Sequence, residues 1–114
     1  MKIIYYQKPR GQFPIKEFIN RLDIKQRVKI FRILNYLEKY GIEAILPHVK
    51  KISGTFLWEI RMLGKDNLRI IYFIYRENMI VLLDGFVKKT QKTSKKDLNR
   101  ALLYFQDWKT RLDK

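Results

Sequence analysis

Cysteine is absent from the 114-residue chain, and histidine occurs once, as His48. The first absence removes disulfides, thiol nucleophiles and cysteine-ligated zinc, and it fits a reducing compartment. The second removes a ribonuclease mechanism built on two histidines and any multi-histidine metal site. A lone histidine in a loop is more often a surface or packing residue than a catalyst, because a base needs a positioned substrate and an orienting partner. Glycine occurs five times, never in a phosphate-cradling loop or a G-x-S-x-G elbow. The 11 acidic residues form no dense cluster, which argues against a two-metal nuclease. No apolar run approaches the ~20 residues that span a bilayer. The opening MKIIYYQKPR has neither a long apolar core nor a small-residue cleavage site, so the expected location is the cytoplasm.

What is abundant is positive charge. Twenty-five Lys and Arg give a formal net charge of +14 and a pI near 10.1. Self-repulsion on that scale opposes compaction. A polyanionic partner is the usual reason to tolerate it: nucleic acid, an acidic membrane surface or an acidic protein. The hydrophobic fraction of 46% is enough for one core in one domain.

Patterning predicts the order β-α-α-β-β-β-α. Lys2–Gln7 is β-branched and aromatic, a short strand. A helix over Phe13–Arg21 tolerates Pro14 in its first turn. Asp23 caps a longer helix that ends at Gly41, with Ile24, Val28, Phe31, Leu34 and Leu37 as its apolar stripe. GIEAILPHVKKISG follows as a linking segment broken by Pro47 and Gly54. Phe56–Leu63, Leu68–Tyr75 and Met79–Phe86 form a three-strand meander with turns at 64–67 and 76–78. In the first of these, Trp58, Ile60 and Met62 share one face, Glu59 and Arg61 the other. Ser94 and Asp97 match a capping pattern for a last helix with Leu98, Ala101, Leu102, Phe105 and Leu112 inward. Trp108 lies nearer the edge of that stripe, and Leu103 and Tyr104 widen it. The expected fold is α+β, an antiparallel sheet of the N-terminal strand plus the meander, packed by two N-terminal helices and a C-terminal helix.

Basic residues on the sheet are the chemistry that remains. Arg61 and Arg69 are close across the first hairpin. They face each other if paired residues sum to 130, and lie on opposite faces if they sum to 131. A two-residue turn at Glu77–Asn78 would pair Arg69 with Phe86 and bring Arg69 to the end of the sheet where Lys88 follows. Between the last strand and the last helix sit Lys88, Lys89, Lys92, Lys95 and Lys96. Guanidinium groups stay charged and can hold an in-line phosphate. A lysine is a poor base at its ordinary pKa of about 10.4, and neighbouring like charges lower that value. Glu59 is a second candidate base, although Arg61 beside it should hold it ionised; it could instead orient Arg61 or form a structural ion pair. Lysine runs are usually solvated faces. Phe56, Trp58, Tyr72 and Phe73 could stack bases, but at strand spacing aromatics are more often core. Trp58 and Phe86 are the aromatic RNA-binding candidates.

Three strings carry a family resemblance: F-L-W-E-I-R-M at 56–62, N-L-R-I-I-Y-F at 67–73 and V-L-L-D-G-F-V-K-K-T-Q-K-T at 81–93, followed by a helix opening at Ser94. The chain resembles the RelE/ParE superfamily of type II toxins, and within it the phage-derived HigB-like branch. The likeness spans the whole predicted architecture and is most specific from Phe56 to Leu98. It implies a ribosome-dependent mRNA interferase, an endoribonuclease that cleaves A-site mRNA by attack of the ribose 2′-oxygen without a metal or other cofactor. By the same resemblance Arg61, Arg69, Lys88 and Lys89 match catalytic basic positions. Glu59 stands where some relatives carry a lysine, and Tyr104 is the nearest match to a tyrosine some carry in the last helix. Lys92, Lys95 and Lys96 would meet RNA. The implied partners are the ribosome, mRNA and a cognate helix-turn-helix antitoxin (HigA-like) in a hetero-oligomer, with no membrane. A ParE-like gyrase inhibitor and a non-enzymatic nucleic-acid-binding module are the competing expectations.

Overall fold

The computed structural model describes residues 1–62, 64–89 and 93–112. Strand β1 (Lys2–Tyr5) leads to helices α1 (Pro14–Asn20) and α2 (Ile24–Tyr40) and a 3-10 helix (Ile42–His48). Strands β2 (Val49–Lys51), β3 (Trp58–Met62), β4 (Leu68–Arg76) and β5 (Met79–Val87) precede helix α3 (Lys95–Leu112). The sheet order is β1-β5-β4-β3-β2.

Local chemistry accounts for the boundaries. Pro14 stands in the first turn of α1, where its missing N–H is not needed. Asp23 accepts from the Gln26 backbone N–H at 2.8 Å, and the Gln26 side chain accepts from the Asp23 N–H at 3.0 Å, a complete capping box for α2. Gly41 ends α2 at φ 81°, a left-handed conformation that favours glycine. Ser94 Oγ accepts from the Asp97 N–H at 3.1 Å and donates to the Asp97 carboxylate at 2.7 Å, opening α3.

The architecture is α+β, but the sheet is mixed. The meander β3-β4-β5 is antiparallel as expected, whereas β1 pairs parallel to β5, Lys2 opposite Met79 through Tyr5 opposite Leu82. A strand's composition does not encode its direction. That is set by the path back to the sheet, and here two helices and a 3-10 helix intervene before the chain re-enters. The second difference is at the far edge. Part of the expected linker is strand β2, with Lys50 opposite Glu59. A three-residue strand rich in lysine suits an exposed sheet edge.

Alternating side chains divide the core between two sides of the sheet. Ile60, Met62, Leu68, Ile70, Tyr72, Ile80 and Leu82 pack under α1, α2 and the 3-10 helix. Leu57, Ile71, Phe73, Val81, Leu83 and Phe86 pack with Tyr6 and Ala101 under α3. Gly85 faces α1: a Cβ there would lie 2.2 Å from Phe18 Cδ2, so only glycine lets α1 sit this close to β5. The C-terminal half of α3 is tied to the residue after β1. Tyr6 Oη donates to Asp107 at 2.6 Å, the Tyr6 ring stacks on Tyr104 at 4.9 Å, and Arg111 bonds Asp107 and the Gln7 carbonyl.

Two expected helix faces shift. On α2 the buried residues are Ile30, Leu34 and Leu37, while Ile24, Val28 and Phe31 point outward at 77%, 48% and 54% exposure. Ile24 and Ile30 lie six positions apart, about 240° around the helix. The sequence therefore offers two apolar stripes, and packing uses one. On α3, Trp108 packs against Phe73 and Tyr75, while Leu103 and Leu112 are 70% and 48% exposed. No helix among the described residues is long and apolar enough to cross a membrane.

Candidate nucleic-acid interface

The register settles which side chains share a face. Arg61 lies opposite Arg69, the pairing whose numbers sum to 130, and Arg69 lies opposite Phe86. The second pairing survives two irregularities in the β4–β5 ladder, between Ile71 and Tyr72 and between Ile74 and Arg76. Leu83 on β5 and Tyr75 on β4 are each left without a partner. One extra residue on each strand cancels the other, so the register beyond both is the one set at the Glu77–Asn78 turn. Arg61, Arg69 and Phe86 thus form a row across three strands on the α3 side, with Lys50 and Glu59 paired on the same side beside it.

Arg69 is 4% exposed and Glu59 2%. Arg69 Nε lies 3.6 Å from Glu59 Oε1, and Arg69 Nη1 donates to the Leu68 carbonyl at 3.0 Å. Thr93 donates to Glu59 Oε2 at 2.9 Å. Glu59 therefore pairs with Arg69, not with its strand neighbour Arg61, and both its oxygens are engaged. Burial pulls the Arg69 guanidinium below its ordinary pKa; Glu59 opposes that pull and Arg61 reinforces it. An arginine begins so far above neutrality that it keeps its charge. The Nε–H groups of Arg61 and Arg69 are buried without an acceptor among the described residues. Buried donors normally find partners, so this pair of opposed guanidiniums is the most unsatisfied polar feature of the α3 face.

Two grooves meet at Lys88. One, of about 260 Å³, is lined by Lys50, Lys51, Glu59, Lys88 and Thr93. The other, of about 300 Å³, is lined by Phe86, Lys88, Lys89, Lys96 and Arg100. The Lys88 N–H donates to the Asn67 carbonyl at 2.9 Å, which continues the β4–β5 ladder one step and fixes where the basic segment begins.

The structure gathers Arg61, Arg69, Glu59, Phe86, Lys88, Lys89 and Lys96 around the first turn of α3 and the β3–β5 floor, and Lys95 stands exposed at the helix start. Lys92 lies outside the described residues. Trp58 is placed elsewhere: it pairs with Tyr72, packs with the core beneath α1 and α2, and carries Lys51 Nζ 5.4 Å from its ring centre. Phe86 is 7% exposed, so its ring is part of the core under α3. Among the described residues no group of three His, Cys, Asp or Glu side chains is placed to hold a metal ion.

Against this geometry, the model of the family described as phage-derived protein Gp49-like matches residues 17–106. The chain belongs to this family. The Gp49-like family is associated with RelE-like toxins of toxin–antitoxin pairs. A search of the curated proteins found no match.

In this Gp49-like chain, four contributors to the site were not foreseen. Lys50 and Lys51 enter through β2. Asp84, 5% exposed in β5, receives Arg100 Nε at 2.5 Å, and Arg100 Nη2 reaches Asp97 at 2.7 Å. Burial pushes the Asp84 carboxyl above its ordinary pKa, against the hydrogen bonds from Arg100 and Gly85. Burial also works against the Arg100 charge, but Asp84 and Asp97 outweigh it and raise its pKa. This bridge anchors the first turns of α3 to β5. The signal was present: an aspartate inside the apolar run V-L-L-D-G-F needs a buried cationic partner.

Proposed function

We propose that this Gp49-like protein is the toxin of a type II toxin–antitoxin pair, of the HigB-like kind within the RelE-like fold, and that it acts in the cytoplasm as a ribosome-dependent mRNA endonuclease. The opposed Arg61–Arg69 pair, with its unsatisfied donors beside the lysine-lined grooves, is the observation that carries this reading. A scissile phosphate at that row would meet two guanidiniums that remain charged throughout the reaction. They would offset the negative charge that develops as the phosphorus becomes five-coordinate. In the step itself the ribose 2′-oxygen bonds to phosphorus while the bond to the 5′-oxygen breaks. The products are a 2′,3′-cyclic phosphate and a 5′-hydroxyl, and neither metal nor water is consumed. The 2′-hydroxyl proton must go to a base and the 5′-oxygen must gain one. Lys88 and Lys89, at the mouth of the grooves, are the candidates for that traffic. Glu59, with both oxygens occupied, takes the role of positioning Arg69. Lys95 and Lys96 would hold the RNA backbone, and the excess positive charge speeds encounter with the ribosome's RNA. A helix-turn-helix antitoxin is the expected neutralising partner.

The deciding experiment offers purified protein to ribosomes carrying a defined message, maps the 5′ ends of the downstream fragments by primer extension and determines the 3′-terminal group of the upstream fragment. Cleavage within the A-site codon, leaving a cyclic phosphate, is the expected result. Intact message with accumulated gyrase–DNA breaks would replace this reading with the ParE-like one. Intact message, no growth arrest and salt-sensitive RNA binding would leave a plain binding module.

A further inference from the structure

The end of the α3 face remote from Arg69 is built differently. Strand β4 runs to Arg76, but β3 pairs with it only from Leu68 to Tyr72. Alternate residues of a strand turn their N–H and C=O groups to opposite sides. Part of the Phe73–Arg76 backbone therefore faces an edge that no described strand covers, and no other described backbone group bonds to it. Immediately beside this edge is an apolar groove of about 380 Å³, lined by Phe56, Phe73, Tyr75, Phe105, Trp108 and Leu112. That volume is at the low end of the roughly 300–1,000 Å³ typical of ligand-sized pockets. Phe56 at its rim is 75% exposed and Ile74 on the open strand 52%. Two cations flank it: Lys109 Nζ lies 5.4 Å from the Phe105 ring centre, and the Arg76 guanidinium 4.8 Å from that of Tyr75.

An unpaired strand edge beside an apolar slot is the arrangement that accepts an added strand, with main-chain bonds supplying affinity and the slot selecting alternate side chains. We propose that the Phe73–Arg76 edge and the Phe56–Trp108 groove form a docking site for an extended segment of a partner protein, one that alternates aliphatic residues with carboxylates. The aliphatic side chains enter the groove and the carboxylates meet Lys109 and Arg76. A second copy of this chain does not fit, because two copies would bring the same cations and a net charge of +14 each together. Nucleic acid does not fit either. The inner rings meet one another edge-on, Phe73 with Phe105 at 74° and Tyr75 with Trp108 at 77°, and Lys109 and Arg76 lie over Phe105 and Tyr75. That leaves the exposed Phe56 as the one lining ring open to a base, too little for a stacking platform. The site stands apart from the Arg61–Arg69 row by roughly 20 Å, six strand residues from Arg69 to Tyr75 at about 3.3 Å each. Docking here is read by binding alone, whether or not the other end cleaves RNA.

The test uses the intact chain and synthetic peptides of about eight residues that alternate valine or leucine with glutamate. The same peptides with proline at alternate positions lack the N–H groups needed for strand addition. Saturable binding of the alternating peptides should slow amide exchange at Phe73–Arg76 and shift Trp108 fluorescence in a Trp58→Phe background. Phe56→Ala and Lys109→Glu, both at exposed positions, should each weaken binding by about tenfold. The proposal is overturned if none of the alternating peptides binds, or if the proline forms bind equally. It is also overturned if protection falls on α2 or Lys88, if an oligonucleotide competes for the groove, or if the chain self-associates through this edge.

Discussion

The two ends of the α3 face share a sheet, a helix and a core, yet they bury opposite kinds of group. At the end where α3 begins, Glu59, Arg69 and Asp84 are buried charges, each held by a partner of opposite sign. At the end where α3 finishes, Phe73, Tyr75, Phe105 and Trp108 pack ring against edge. A buried ion pair adds little net stability, because desolvation offsets most of the attraction. Aromatic burial adds a great deal. The aromatic end therefore supplies most of the energy that holds α3 on the sheet, and the Asp84–Arg100 bridge fixes where its first turns lie.

This contrast can be broken first at its charged end. Arg69→Met should lower cleavage on programmed ribosomes by at least about a hundredfold, read by primer extension. It should also cost about 3 kcal/mol in urea unfolding, because Glu59 is left buried and unpaired. Adding Glu59→Gln should recover part of the stability and none of the activity. Recovery of both would remove Arg69 from the mechanism. At the aromatic end Phe73→Ala should cost about 3–5 kcal/mol, with cleavage per folded molecule unchanged at low temperature. Loss of activity in the folded fraction would show that the ends are not separable.

Alkaline titration sharpens the comparison from the side of the tyrosines. Burial pushes Tyr72 from 10.0 up to about 12, and burial with the Asp107 hydrogen bond raises Tyr6 as well. Each native phenol holds its proton more tightly than the unfolded one. The associated stability is complete below pH 10.0 and is lost as pH climbs through the folded value, about 12 for Tyr72. Thermal melts between those limits should show falling Tm, and Tyr6→Phe should flatten the fall. An unchanged slope would mean that neither burial nor the bond to Asp107 raises the Tyr6 phenol in solution. The smallest effect is expected from Lys96→Gln. Stability should move by less than about 0.5 kcal/mol, while the salt slope of RNA binding should shrink by about 0.7–0.9. An unchanged slope would take Lys96 out of the RNA contact.

Much of the fold was legible because it rests on local rules. Asp23, Gly41 and Ser94 mark helix ends through bonds to their own neighbours, and the alternation of Trp58 through Met62 assigns faces without any tertiary knowledge. The candidate row was legible up to one binary choice, the register of Arg61 against Arg69. What was hidden involved partners distant in sequence. The parallel sense of β1, the burial of Ile30 in place of Phe31, the strand pairing of Lys50 with Glu59 and the choice of Arg100 as the partner of Asp84 all depend on what packs opposite.

By itself, the sequence determined the α+β class, the excess of positive charge and the helix boundaries, because composition, period and capping act over a few residues. Only the tertiary structure decided which of two apolar stripes on α2 faces the core, that Glu59 serves Arg69, and that β4 outruns β3 to leave an open edge. Those outcomes depend on burial and pairing between segments tens of residues apart, where many sequences of the same pattern have more than one solution.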